Sequence, residues 1–309
     1  MNKKIKITLF AGFFFTAGLI AAFSCNNMVY GDILGDEVEI PETASSFPVV
    51  QDFSLPRTLS LCGEMIPLEN PQVWEMLDRE FNITVWDRAQ VFMYLKRAGR
   101  YFPYIEKKLS EAGMPMDLKY LAVAESALLT YSRSRKGAKG MWQFMRLAAR
   151  SNGLRRDRIV DERLNYEHST KAAIKYLKFL KRKFNTWSLA LAAYNGGETR
   201  MRKAIREQKT TDYYRLNLPL ETERYIFRIA AIKIVMENPA RYGYHLSKER
   251  TYRPRKYDIV HVNLKKTIYI ADFAEFFITD FKTIKELNPQ FIKNYLPAGK
   301  YTVKVPITS

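Results

Sequence analysis

A mainly α-helical domain followed by a small α+β module is the fold class that the sequence predicts, and three observations predict it. From Pro71 to about Glu237, apolar residues return every three or four positions through PQVWEMLDREF, DRAQVFMYLKRAGRYFPYIEKKLSEAG, HSTKAAIKYLKFLKRKF, TWSLALAAY and ETERYIFRIAAIKIVMEN, the spacing of amphipathic helices. Glycines and prolines punctuate the joints at Gly113-Met114-Pro115, Gly137, Gly140, Gly196-Gly197 and Pro219, where helices stop and start. After Asn238-Pro239 the texture changes to short β-like pieces, YDIVHVNL and KYTVKVP, around helical stretches at IADFAEFF and DFKTIKELN, as in a small mixed module. A chain of 309 residues with 47% hydrophobic and 27% charged residues has the composition of a packed protein.

The order of segments follows. Lys3, Lys4 and Lys6 precede an uncharged run from Ile7 to Phe23 and then Ser24-Cys25-Asn26-Asn27: a basic region, an apolar region and a small-residue end, the pattern of an export signal. An uncleaved anchor helix is the alternative, because the run is nearly long enough to span a bilayer. Ala22-Phe23-Ser24-Cys25 resembles the lipobox of bacterial lipoproteins, so residues 1–25 are expected to be a signal with Cys25 as the lipidated residue. Residues 26–65 mix acidic residues, prolines and serines, as in GDEVEIPETASSFP, and are expected to form a tether. The helical domain then covers residues 66–240 and the small module residues 241–309.

Charge and cysteine count narrow the function classes. A net charge of +18 favours polyanionic partners: nucleic acid, anionic lipid, or a carboxylate-rich polymer such as bacterial cell wall. Export and the lack of a binding motif disfavour nucleic acid. Two cysteines, Cys25 and Cys62, make no disulfide framework, although a bond between two N-terminal segments is an alternative to lipid on Cys25. His168, His245 and His261 are far apart and lack ligand spacing, so no metal site is expected. There is no phosphate-cradling glycine loop, and no cofactor is expected.

One carboxylate stands out. In a helix beginning near Pro115, Leu118, Leu121, Ala122 and Glu125 share a stripe at i, i+3, i+4 and i+7, which puts Glu125 on the apolar face. Lost hydration there penalises the charged form and raises the pKa, as a general acid working near neutral pH requires. A Glu near a helix end paired with Arg133 or Arg135 is the duller alternative.

Four motifs in order extend the signal: Glu125-Ser126, Gly140-Met141-Trp142-Gln143, Ala193-Tyr194-Asn195, and Glu221-Thr222-Glu223-Arg224-Tyr225. With them, the chain from about Ile66 to Asn238 closely resembles the lytic transglycosylases of the soluble-type catalytic domain, and among these the membrane-bound lytic murein transglycosylase D branch. The resemblance implies a lysozyme-like helical catalytic domain. It implies Glu125 as catalytic acid and then base, with Ser126, Gln143, Tyr194, Asn195 and Tyr225 binding substrate around it.

Each of these has a local alternative: Ser126 and Gln143 can tie backbone, Trp142 can be core, and Tyr194-Asn195 before two glycines can be a helix stop. The implied reaction is cleavage of the β-1,4 bond between N-acetylmuramic acid and N-acetylglucosamine, with closure of a 1,6-anhydro ring. The substrate's acetamido group would stand in for a second carboxylate. A lysozyme-like muramidase that hydrolyses the same bond, and a non-catalytic wall-binding protein, are the alternatives. The implied partners are peptidoglycan strands, whose peptide stems carry free carboxylates, and a membrane reached through the lipid anchor. The implied location is the bacterial cell envelope, on the periplasmic face of an outer membrane. The tail resembles, faintly, a LysM sugar-binding module through KTIKELNP and LPAGKYTVKVP, without the Gly-Asp-Thr usual after its first strand.

Overall fold

The helical domain is entered through a small hairpin, β1 (Ser60–Leu61) against β2 (Glu64–Met65), in a computed structural model that describes residues 51–307. The expected export signal, Cys25 and most of the expected tether lie outside the described residues. The tether expected to reach residue 65 ends earlier. Phe53, Leu59, Leu61, Cys62 and Ile66 are buried in the main core, and the Phe53 ring meets Tyr242 edge-on with centroids 5.6 Å apart. The hairpin also serves a helix. The Glu64 carboxylate accepts from the backbone N–H groups of Trp187 (2.6 Å) and Ser188 (3.0 Å), which would otherwise be unpaired at a helix start. Cys62 is a buried free thiol, and burial, followed by the nearby Asp117 charge, pushes its pKa up.

Most predicted helices form close to their expected places. The helices of the domain, of which α4 and α7 were not expected, are α1 (Pro71–Trp86), α2 (Arg88–Glu111), α3 (Leu118–Ser126), α4 (Arg146–Ser151), α5 (Tyr166–Phe184), α6 (Trp187–Gly196), α7 (Glu198–Gln208), α8 (Leu220–Glu223) and α9 (Tyr225–Glu237). Side-chain caps start several of them, Asn70 for α1, Asn165 for α5 and Thr186 for α6, each satisfying orphan N–H groups. Helices α6 and α9 are apolar all round and form the centre of the domain. α9 packs against α1, α3 and α6, as a helix without a polar face must. The glutamate helix differs from expectation at both ends: residues 115–117 form a turn, and α3 stops at Ser126. There Ala127 and Leu128 adopt left-handed φ of 55° and 61°, which ends an α-helix.

The main core extends past residue 240. Tyr242 and Tyr244 are buried in it, and the Tyr244 hydroxyl donates to the Val85 carbonyl at 2.6 Å. The module is α+β as expected: β3 (Asp258–Leu264), β4 (Ile268–Tyr269), α10 (Ile270–Phe276), α11 (Phe281–Leu287), β5 (Tyr295–Leu296) and β6 (Gly299–Val305). Its outer strands pair antiparallel from Asp258↔Val305 to Leu264↔Gly299, with the two helices between them in the chain.

Its small core includes a residue of the helical domain, Val160. Backbone bonds fasten the same seam: Ile292 N–H to the Ile159 carbonyl (2.9 Å) and Asp161 N–H to the Gln290 carbonyl (2.8 Å). The connecting segment lies on α2, where Tyr252 N–H donates to the Lys96 carbonyl at 2.9 Å. Gly99 makes room for it, since a Cβ there would meet the Thr251 side chain at 2.6 Å.

Candidate active site

Glu125 sits in the last turn of α3, half-buried, with its carboxyl packed round by protein while one edge of the side chain reaches solvent. Among the described residues it makes no ion pair, so the pairing with Arg133 or Arg135 does not form. Its partner is Tyr225, the first residue of α9, whose hydroxyl donates to Glu125 Oε1. Burial pushes the Glu125 pKa up from 4.5 to about 7, against the lowering influence of that hydrogen bond and of the Arg228 charge. Desolvation wins because the hydrogen bond replaces only part of the lost hydration. Tyr225 is itself buried, and burial and the Glu125 charge hold its phenol well above the usual range, so it remains a donor.

Arg228, one turn along α9, is held by Glu80 of α1. Glu80 is buried, accepts from Arg224 Nε at 2.6 Å and lies 3.4 Å from Arg228 Nε. This buried carboxylate was not among the residues singled out in the sequence. Its spacing could have found it, since Glu80 follows Val73 by seven positions and Leu77 by three on the buried stripe of α1.

The second wall is the turn from Gly137 to Phe144. Ser126 is buried, and its hydroxyl donates to the Met141 carbonyl at 2.8 Å and to the Ala122 carbonyl at 3.3 Å. That hydroxyl therefore joins α3 to the Gly-Met-Trp-Gln turn. Trp142 is fully buried, its indole N–H donating to Thr170 at 2.9 Å, and is core. Gln143 follows with a left-handed φ of 46°, an uncommon conformation for a residue with a Cβ. Its side-chain amide nitrogen donates to the carbonyls of Gly140 (2.7 Å) and Ser132 (3.3 Å). Both donors are thus used inward, and the amide oxygen is the group left to accept.

What holds this turn was also not read from the sequence. Arg163 is buried and makes two 2.8 Å bonds to the Asp161 carboxylate, while its Nη1 donates to the carbonyls of Gly137 (3.2 Å) and Phe144 (3.1 Å). Gly140, at φ 81°, has the Arg163 carbonyl where a Cβ would be, at 1.7 Å. Only glycine fits there.

Tyr194 and Asn195 come from the end of α6. The Tyr194 hydroxyl donates to the Trp142 carbonyl at 2.7 Å. Burial, then the Glu125 charge, hold its phenol well above the usual range, which places Tyr194 beside the glutamate. Asn195 accepts from the Thr222 hydroxyl at 3.1 Å and so ties α6 to the segment leading into Tyr225. Glu125, Ser126, Gln143, Tyr194, Asn195 and Tyr225 are thereby linked through one set of contacts, although they come from four separated stretches of chain.

The helical domain sets a half-buried, protonatable glutamate between a tyrosine and a glutamine-bearing turn, and residues 102–217 match the family of the transglycosylase SLT domain. The match holds Glu125 through Asn195 and stops short of Tyr225. The chain is similar to the membrane-bound lytic murein transglycosylase D of Escherichia coli, 34% identical over 193 residues that cover 60% of this chain and 42% of that protein. It therefore spans less than half the length of that relative.

Among solved structures, the 70 kDa soluble lytic transglycosylase of Escherichia coli aligns over 47% of this chain and 24% of its own at 22% identity and a TM-score of 0.38. The lytic transglycosylase Slt of Pseudomonas aeruginosa aligns over 50% and 26% at 17% identity and a TM-score of 0.36. Both likenesses are too limited to argue from. Among the described residues no cluster could hold a metal ion, and no helix is long and apolar enough to cross a membrane.

Proposed function

We propose that the chain is a peptidoglycan lytic transglycosylase in which Glu125 serves first as acid and then as base. The observation that carries the reading is the carboxyl of Glu125, shielded in an apolar setting, poised near pH 7 and held by the Tyr225 hydroxyl. In the first step Glu125 gives its proton to the oxygen between N-acetylmuramic acid and N-acetylglucosamine, and that C–O bond breaks. The muramyl acetamido oxygen supports the charge that develops on C1, so no second protein carboxylate is needed. In the second step the ionised Glu125 takes the proton of the muramyl C6 hydroxyl, whose oxygen bonds to C1. Glu125 ends as it began, and no water is consumed. A group used in both directions works best with a pKa near the ambient pH.

The other residues position substrate. The free oxygen of Gln143 suits the N–H of an acetamido group, Tyr194 and Asn195 shape the opposite wall, and Ser126 acts through the backbone of the 137–144 turn. Outside the described residues, Cys25 is the proposed lipid attachment point, anchoring the enzyme in the cell envelope with the wall within reach. Several acyl chains hold a protein at a membrane where one does so marginally.

Glu125→Gln is expected to fold and to lose release of soluble muropeptides from purified wall; retained turnover overturns the assignment. Mass spectrometry of the wild-type products is expected to show anhydromuramyl ends, lighter by one water than hydrolysis products. Reducing ends alone identify a muramidase instead.

A further inference from the structure

A cavity of 640 Å³ lies between α2, the Leu128–Tyr131 segment and the C-terminal module. Glu125 does not line it. Six cations do: Arg97, Arg100, Arg255, Lys282, Lys285 and Lys304. Two carboxylates offset them: Glu286, 2.7 Å from Arg255 and 4.0 Å from Lys282, and Glu167, which pairs with Lys304. About four positive charges therefore remain uncompensated in a recess that shields them from salt better than open surface does.

The remaining cations are held by carbonyls, which orient a charge without neutralising it. Arg97 donates to the Ala127 carbonyl (3.1 Å), Arg100 to the Arg253 carbonyl (3.1 Å), and Lys285 to the Lys293 carbonyl (2.9 Å). The ammonium of Lys285 is half-buried, and burial lowers its pKa with no carboxylate to restore it. Aromatic side chains complete the walls: the Arg100 guanidinium stacks over Tyr252 at 5.2 Å, and Tyr166 also lines the cavity.

We propose that this cavity is a second binding site, one that takes the carboxylate-bearing peptide stem attached to the muramyl residue at the scissile bond. The inference rests on the transglycosylase reading above. The volume suits a short peptide, and the aromatic and aliphatic walls suit its carbon skeleton where a bare phosphate would use only the cations. Position agrees as well. Leu128 lines the cavity and follows Glu125 by three residues, so the two α-carbons are within about 11 Å even for extended chain. A stem of three or four residues reaches as far.

The test is calorimetric binding of a free stem tetrapeptide, prepared from purified wall, to the full chain. Its carboxyl-amidated form and inorganic phosphate are the comparisons. The tetrapeptide is expected to bind, at least tenfold more weakly to Arg100→Gln and severalfold more weakly to Lys282→Glu, whose side chain is exposed, with thermal melts showing both variants folded. Equal affinity in both variants, equal affinity for the amidated peptide, or tighter binding of phosphate than of peptide overturns the proposal. Because binding is read without turnover, the two readings fail separately. A chain that cleaves wall but binds no stem sinks this inference alone, and a chain that binds stems but cleaves nothing sinks the catalytic one.

Discussion

One phenol hydroxyl moderates how firmly burial makes Glu125 keep its proton. Burial pushes the carboxyl up and the Tyr225 hydrogen bond pulls it partly back, so Tyr225→Phe is expected to raise the Glu125 pKa further and move the alkaline fall of kcat/KM to higher pH. A lower maximal rate accompanies the shift, because the carboxyl is less well aimed; an unmoved alkaline limb means the phenol does not touch the working carboxylate. The same group carries a stability signature of definite sign. Its folded pKa of about 7 lies above its ordinary value of 4.5, so the folded state holds the proton more tightly than the unfolded chain does. Stability from this group is therefore full below about pH 4.5 and declines as pH rises through 7. Glu125→Gln removes the decline, and urea melts are expected to show the variant more stable than wild type at pH 8, by roughly 1–3 kcal/mol, with little gain at pH 4.5.

At the level of elements, the site is a helix end and a turn fixed against each other, and the turn depends on two buried features. Gly140→Ala would drive a methyl into the Arg163 carbonyl at a left-handed φ, so the turn must move. We expect a loss of about 3 kcal/mol or more and loss of turnover, because Gln143 moves with it. Asp161 opposes burial with its bonds to Arg163 and the Lys139 charge, which together hold its carboxyl below the usual range. Its contribution is thus present above about pH 4 and lost as pH falls below the ordinary carboxylate value. Asp161→Ala strands a buried guanidinium and is expected to cost about 3–5 kcal/mol, visible as a lowered urea midpoint at pH 7.

These elements were unevenly legible in the sequence. The stripe position of Glu125 followed from period alone, and the central helices α6 and α9 from their density of apolar residues. The end of α3 did not, because Ala127 and Leu128 carry no glycine to announce a left-handed turn. The short α4 went unread. So did α7, which buries only Met201 and Ala204 and so shows hardly any apolar stripe. Asp161 and Arg163 look like ordinary surface charges until the turn at 137–144 folds over them, and that packing is tertiary.

At the scale of the whole molecule, the boundary read near residue 240 separates two textures of sequence but not two independent cores. Val160 of the helical domain packs with Phe291 and Val303 of the module, backbone bonds cross the seam on both sides of Val160, and Lys304 reaches back to Glu167 of α5. A module of this size buries little apolar area by itself, so its stability is expected to be borrowed from the seam. The four tryptophans, Trp74, Trp86, Trp142 and Trp187, all lie in the helical domain and report on it alone, whereas far-ultraviolet circular dichroism reports on both parts. If the seam couples them, the two probes give coincident urea transitions. Phe291→Ala, which empties a buried site in the module, would then lower the tryptophan midpoint and the dichroism midpoint together, at a cost of about 3–5 kcal/mol. A tryptophan transition unmoved by that substitution, with an earlier separate loss of dichroism, would make the module an independent unit and leave the cavity beside it with one mobile wall.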